Sequence, residues 1–356
     1  MERKHAMKWN IKKLGRMAED AEGTLWLCSP ASEISFRVRN ASFLTLTLCW
    51  NGTCPESTFD RIWPRYAVYL DGEKILDTRQ DGTGREVRVF GPEDGGGKDS
   101  RTVRLVKLSE CSHSLIGLKA IRTDGTTEAL PDRKPKMEFI GDSITCGYGV
   151  EGRAEDTFST ETENAEKSHA FLTARALGAD AVLTAYSGCG LLSGYTDGDI
   201  NEGNLMIPVY EKTGRIPWAL PGGRTPQEIP WNFASFRPDW IVIQLGNNDL
   251  SWTRGIPERE EQFLTRYEAF LAMVRKNNPN ARILCALGID GEPLVGCVEK
   301  AVENRRAGGD PLVRFVRLPQ MDEQRDGAGA DHHPSEKFQR DLSKVLLCAL
   351  GEWMNA

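Results

Sequence analysis

"LPDRKPKMEFIGDSITCGYG" (Leu130–Gly149) is where the pattern of the chain changes. Two prolines and mixed charges, Leu130–Lys136, read as a connection between folded parts. A short apolar run then stops at Gly141, and Asp142 and Ser143 follow. Either this Ser is a nucleophile at a strand end, or it only caps a helix. The residues on both sides decide what kind of sheet that strand belongs to.

Upstream, apolar and polar residues alternate in short runs. In "FLTLTLCW" (Phe43–Trp50), Leu44, Leu46, Leu48 and Trp50 alternate with Thr45, Thr47 and Cys49, the period of a half-buried strand. Asp71-Gly72 sits between two apolar runs and predicts a hairpin. "REVRVF", "TVRLVKL" and "SLIGLKAI" follow, with the turn-rich "GPEDGGGKDS" among them, as in a sandwich or jelly roll.

Downstream, strand-length apolar runs alternate with helical ones. "MEFIG", "DAVLTAY", "DWIVIQLG", "ARILCALG" and "VRFVRL" are the strand candidates. "SHAFLTARALGA" ends its helix at Gly178. A second helix starts near Pro257 with Phe263, Tyr267, Phe270 and Val274 along one face. The last, from about Ser335, carries Phe338, Leu342, Val345 and Ala349. Alternating β and α predicts a parallel, doubly wound sheet, whose ligands sit at the carboxyl ends of the strands. The expected organisation is an all-β jelly-roll or sandwich domain over 1–130, a linker over 131–136, and a three-layer, flavodoxin-like α/β domain over 137–356.

Composition narrows the partners. A net charge of −6 gives no electrostatic reason to expect nucleic acid or an acidic membrane. No apolar run approaches the ~20 residues that span a bilayer, and the basic N-terminus lacks the apolar stretch of a secretory signal. Nine cysteines without a CxxC pair argue for reduced thiols, hence a cytoplasmic setting, and against a zinc site. The sequons at Asn40 and Asn51 are then chance matches.

Four loops at one sheet edge carry candidate chemistry. Ser143 follows the first strand, although Thr145 replaces the second Gly of GxSxG. "YSGCGLL" ends the second strand with Gly188 and Gly190, and "QLGNNDL" ends the third with Asn247, Asn248 and Asp249. A base must be His. His5 lies in the tail, His113 in the β part and His169 in a helix, whereas His332 and His333 lie in the "GADHHPS" loop before the last helix. "GCGLLSG" is a weak dinucleotide fingerprint, and there is no P-loop, so no cofactor is expected.

With these blocks in order, the chain resembles the SGNH, or GDSL, hydrolases: "GDS" with Ser143, "SGCG" with Gly190, "GNND" with Asn248 and "DHHPS" with His333. "EFIGDSITCGYGVEG", preceded by an all-β domain, is similar to carbohydrate esterase family two, whose members remove acetyl groups from plant polysaccharides. The resemblance implies a serine esterase deacetylating xylo-, manno- or glucomanno-oligosaccharides. Ser143 would be the nucleophile and His333 the base. The N–H groups of Ser143 and Gly190 and the Asn248 amide would hold the oxyanion. Asp249 would brace its loop. The family's Asp-x-x-His is altered, because Ala330 stands three before His333 and Asp331 two before, so either the Asp331 carboxylate or a backbone carbonyl orients the imidazole. Tyr148, Tyr195, Trp218, Trp231, Trp252 and His332 are the candidate sugar contacts, three of them in the long segment Leu191–Trp231. Alternatives are a thioesterase or lysophospholipase on the same scaffold, or a carbohydrate-binding protein with a degenerate hydrolase domain. The oligomeric state is not legible.

Overall fold

The computed structural model describes residues 9–51, 62–80, 84–94, 99–112, 114–216 and 218–354. His5, His113 and part of the Gly-rich turn before Ser100 lie outside them. Two antiparallel sheets form the first part. One runs Lys12–Leu14, Glu33–Arg39, Ser100–Lys107, Arg65–Leu70, Glu73–Arg79, with Thr126–Ala129 also paired to Glu33–Arg39. The other runs Met17–Glu19, Leu25–Leu27, Leu115–Thr123, Leu44–Asn51, Gly84–Phe90. Leu46, Leu48, Phe36, Val103, Leu105 and Leu118 fill the space between them. The hairpin expected at Asp71-Gly72 forms, with both residues at positive φ as such a tight turn requires. The alternation in Leu44–Asn51 holds through Leu48 and then breaks. Cys49 is buried on the opposite face and Trp50 is only half-buried, packed edge-on to Trp63. That opposite face is not left to solvent: Cys49, Trp26, Cys28 and Leu115 join one apolar cluster with Ile140, Tyr186 and Ile216 of the second part.

The second part is a parallel five-stranded sheet. Its strands are Lys136–Gly141, Asp180–Ala185, Trp240–Gln244, Arg282–Ile289 and Val313–Gln320, in spatial order second, first, third, fourth, fifth. Helices His169–Ala176 and Glu336–Met354 cover one face with Ala170, Ala174, Phe338 and Leu342. Helices Pro257–Asn277 and Val295–Ala307 cover the other with Phe263, Tyr267, Phe270 and Val298. The five expected strands are all present, and Pro257 opens its helix. The last helix turns a different face inward: Leu346, Leu350 and Trp353 are buried, whereas Val345 and Ala349 are only partly so. Both choices keep helical spacing, and contact with the sheet selects between them. Among the described residues, no helix is long and apolar enough to cross a membrane.

The strand connection Gly15–Arg16 drives a cation into the junction of the two parts. Arg16 is fully buried, and its Nη1 donates to the carbonyls of Tyr210 and Lys212 at 2.5 Å each. Nη2 donates to Glu138 Oε1 at 3.1 Å, and the rings of Tyr210 and Trp231 lie 5.2 and 5.3 Å from the guanidinium. Nearby, Lys12 Nζ meets the buried Asp180 Oδ2 at 2.5 Å. Removing one partner of a buried pair strands the other charge, at a cost of about 3–5 kcal/mol. Arg16→Ala is therefore expected to lower the unfolding free energy, read from a denaturant titration, by that amount; a change below about 1 kcal/mol would show that the junction does not depend on this pair.

Candidate active site

Gly141 ends the first strand where a side chain would collide with Thr145 Oγ1 and Gln244 O. The chain then enters a one-turn helix, Ser143–Cys146. Asp142, not Ser143, is its cap: its Oδ1 accepts from Ile144 N at 3.0 Å. This separates the two readings of the Ser. Burial lifts the fully enclosed Asp142 carboxyl to about 7, with the neighbouring Asp249 adding to the effect.

Ser143 Oγ lies 2.9 Å from His333 Nε2. His333 Nδ1 faces the main-chain carbonyl of Asp331 at 3.0 Å. With Nδ1 protonated and donating there, Nε2 carries the lone pair directed at the Ser hydroxyl. Burial holds this imidazole below its ordinary 6.5, opposed by the Asp331 carbonyl and by the Asp331 and Glu110 charges. His332 points elsewhere, its Nδ1 3.0 Å from Glu323 Oε1, and is two-thirds exposed.

Of the two groups left open to orient the imidazole, the Asp331 carbonyl is the one that faces Nδ1, and the hydrogen bonds of the carboxylate go elsewhere. Its Oδ2 accepts from Tyr148 OH at 2.6 Å and Phe158 N at 3.1 Å. Tyr148 is stacked on Phe158 with ring centroids 4.7 Å apart and lies 4.0 Å from the His333 ring. Tyr148 thus packs against the imidazole, with its hydroxyl committed to the Asp331 carboxylate.

The Gly190 assignment also changes. Its N–H donates to Asn204 O at 3.1 Å, so that group is not free for an oxyanion. Gly190 is glycine for packing, because a Cβ would lie 1.9 Å from Ser193 O. The amide that remains open is two residues earlier: among the described residues no acceptor takes Gly188 N–H, nor Ser143 N–H. Asn248 Nδ2 donates to Cys189 O at 3.0 Å and lies 3.4 Å from Asp142 Oδ2. Asp249 does brace its loop, its buried carboxylate accepting from Leu191, Leu192 and Ser193 N–H groups. Burial raises it to about 6 despite those bonds.

Of the other aromatics, Trp231 packs on Arg16 at the junction and Trp218 against the hydrolase core. These two are structural, because the long segment folds back onto the body through Leu191, Met206, Tyr210 and Leu220. Trp252 has Arg259 over its ring at 4.4 Å. Tyr195 is the exposed one, at 57%.

Sequence reasoning missed Glu110. It comes from the β part, is 1% exposed, and its Oε2 accepts from Ser187 N at 3.1 Å and Ser112 Oγ at 2.5 Å. Glu163 Oε1 accepts from Glu110 N, and burial beside the Glu110 charge raises the Glu163 carboxyl well above its usual range. Glu110, Glu163 and Cys146 are close enough to surround a metal ion. Lys107, whose Nζ donates to Ser109 O and Glu110 O, lies beside them, and burial lowers its pKa against the pull of the Glu163 and Glu110 charges. No sequence pattern marks Glu110, since the partners that tie it to the second part, Glu163 and Ser187, lie 53 and 77 residues away.

Residues 139–340 match the GDSL-like lipase/acylhydrolase family. The cellulase/esterase CelE of Acetivibrio thermocellus is 33% identical over 307 residues, 80% of this chain, and this chain spans only 35% of its length. An acetylxylan esterase / glucomannan deacetylase of Cellvibrio japonicus is 26% identical, covering 81% of this chain and 76% of its own. Among solved structures, a family two carbohydrate esterase from Clostridium thermocellum, in complex with cellohexaose, superposes with a TM-score of 0.82 at 26% identity, over 97% of this chain and 99% of that one.

The acid limb of kcat/KM reports the free enzyme's base. A base that must be neutral, held below 6.5, keeps activity until the pH falls through that lower value. The midpoint of the limb is expected below 6.5 in a pH–rate profile. Asp331→Asn leaves the carbonyl in place and is expected to lower kcat by less than about tenfold, against ~10⁴ where a triad carboxylate is neutralised. A loss near that larger figure would return the carboxylate to the catalytic unit.

Proposed function

This chain belongs to the GDSL-like lipase/acylhydrolase family, and we propose that it is a serine esterase removing O-acetyl groups from plant-type oligosaccharides. One observation carries the mechanism: the Ser143–His333–carbonyl relay, with 2.9 Å and 3.0 Å spacings. Ser143 Oγ attacks the acetyl carbonyl while His333 Nε2 takes its proton. The N–H groups of Ser143 and Gly188 and the Asn248 amide receive the developing oxyanion. Collapse expels the sugar alkoxide, which leaves with the proton from His333. Water, deprotonated by the same imidazole, then attacks the acetyl-enzyme, and acetate departs.

The carbonyl of Asp331 does what a triad carboxylate does for orientation: it fixes the tautomer and the ring plane. It supplies less charge stabilisation to the imidazolium, and the Asp331 and Glu110 carboxylates supply some through space. The sugar side of the reading rests on the acetylxylan esterase / glucomannan deacetylase relative, and on Tyr195, an exposed ring beside helix Asn247–Thr253, to which Thr196 N is tied through Ser251 Oγ at 2.9 Å. Xylo-, manno- and glucomanno-oligosaccharides bearing acetyl esters are the proposed substrates.

Acetate release from acetylated xylo- and glucomanno-oligosaccharides, compared with hydrolysis of long-chain p-nitrophenyl esters, tests the substrate. The acetylated sugars are expected to be favoured, and a preference for long acyl chains would reject the proposal. Ser143→Ala is expected to abolish turnover; full activity in that variant would end the esterase assignment. Asn248→Ala removes one oxyanion donor and is expected to lower kcat about 10²–10³-fold.

A further inference from the structure

An oxyanion donor is useful only if its direction is fixed before the reaction. Gly188 N–H belongs to the peptide unit whose carbonyl is that of Ser187. In a planar trans peptide the two point in opposite directions, so whatever holds the carbonyl aims the N–H. Asn204 Nδ2 donates to Ser187 O at 3.1 Å. The main chain of Asn204 is itself fixed, because its carbonyl accepts from Gly190 N at 3.1 Å. On the other side of Ser187, its N–H donates to the buried Glu110 Oε2 at 3.1 Å. Beyond the unit, Gly188 O accepts from Tyr195 N at 2.9 Å. Gly188 has φ +69°, and a Cβ there would lie 2.8 Å from Asn204 Nδ2. That position has to be glycine for both conformation and space. Every polar main-chain group of Ser187 and Gly188 is committed except the Gly188 N–H.

We propose that Asn204 and Glu110 are positioning residues of the esterase, clamping the Ser187–Gly188 peptide so that the Gly188 N–H faces the oxyanion. The proposal rests on Gly188 as oxyanion donor. It gives a positioning role to Asn204, from the long segment after the second parallel strand, and a further one to Glu110 of the β part, whose charge already acts on the imidazole through space. A hydrogen bond to the Ser187 carbonyl also polarises the peptide, making Gly188 N–H a stronger donor.

The test is Asn204→Asp, nearly isosteric but unable to donate to the carbonyl, with Asn204→Ala beside it. Single-turnover acetylation by p-nitrophenyl acetate, read as the nitrophenolate burst, is expected to slow about 10- to 100-fold, with KM within about twofold. Methylboronic acid forms an anionic tetrahedral adduct on a Ser nucleophile, and its Ki is expected to rise by a similar factor. A role confined to loop stability would lower the thermal midpoint without this parallel. Glu110→Ala removes the acceptor for Ser187 N–H and is expected to slow the burst about 10-fold with KM within about twofold, and Glu110→Gln, which keeps an acceptor, is expected to recover most of that loss. A burst at the wild-type rate in Asn204→Asp, or a loss carried by KM alone, overturns the proposal. A burst at the wild-type rate in Glu110→Ala overturns the part assigned to Glu110, as does a Glu110→Gln burst no faster than that of Glu110→Ala. If Ser143→Ala is inactive while Asn204→Asp is normal, only the clamp fails; if Ser143→Ala is active, the esterase reading itself fails.

Discussion

Everything at the candidate site depends on two stretches of backbone lying directly against each other. Gly149 O accepts from Ala330 N at 2.9 Å, and a Cβ on Gly329 would lie 2.2 Å from that same oxygen. Gly149 sits at φ +62° with Ala330 backbone atoms where its Cβ would go. Two glycines facing each other let the loop after Ser143 and the loop before His333 touch without intervening side chains. The contact joins residues about 180 positions apart. The imidazole reaches the hydroxyl only because the main chains meet first.

The same loop then turns sharply. Asp331 and His332 both adopt left-handed conformations, φ 50° and 59°, which cost on the order of 1–3 kcal/mol each for non-glycine residues. The surroundings hold them there. Asp331 N donates to Asp156 O, its carboxylate binds Tyr148 OH and Phe158 N, and Gly329 N donates to His333 O at 2.7 Å. The turn brings the Asp331 carbonyl under His333 Nδ1 and sends the carboxylate away to the aromatic plate. One residue therefore orients the base through its main chain and encloses it through its side chain. The enclosure matters electrostatically, because the buried imidazole stays neutral at lower pH than a free one.

Much of this was legible in the sequence, for identifiable reasons. The first three parallel strands are mainly apolar runs followed by Gly or Ser, each with a chemical block at its end, and the histidine block lies between the last strand and the last helix, so Ser143, Asn248 and His333 could be placed on one edge. His333 rather than His332 followed from its place before Pro334, and Asp249 as a brace followed from its block. The resemblance pointed to Gly190 rather than Gly188, because two glycines two positions apart differ only in which N–H finds an acceptor, and that acceptor, Asn204, comes from a loop without regular pattern. Asp331 was ambiguous because sequence does not distinguish a carbonyl from the carboxylate of the same residue. Trp218 and Trp231 looked like sugar platforms, but an aromatic in a loop is as well used as a wall. The last helix was read correctly at Phe338 and Leu342 and one residue out of phase after them, since Val345 and Leu346 both fit its period.

The cluster of Lys107, Glu110 and Glu163 beneath the Ser187 loop, with Arg16 on the far side, bears on how such proteins change over generations. Modular proteins exchange domains when the seam between them is polar, wet and replaceable. Across the seam the buried Arg16 guanidinium donates to Glu138 Oε1, Ser187 N–H to Glu110 Oε2 and Glu110 N–H to Glu163 Oε1, while Lys107 donates to carbonyls on its own side. A recombination event breaking the chain within 131–136 would bring in a foreign sheet with none of the matching charges, and the remaining ones would be stranded in an apolar interior. The two parts can drift in sequence, but they are inherited as a pair.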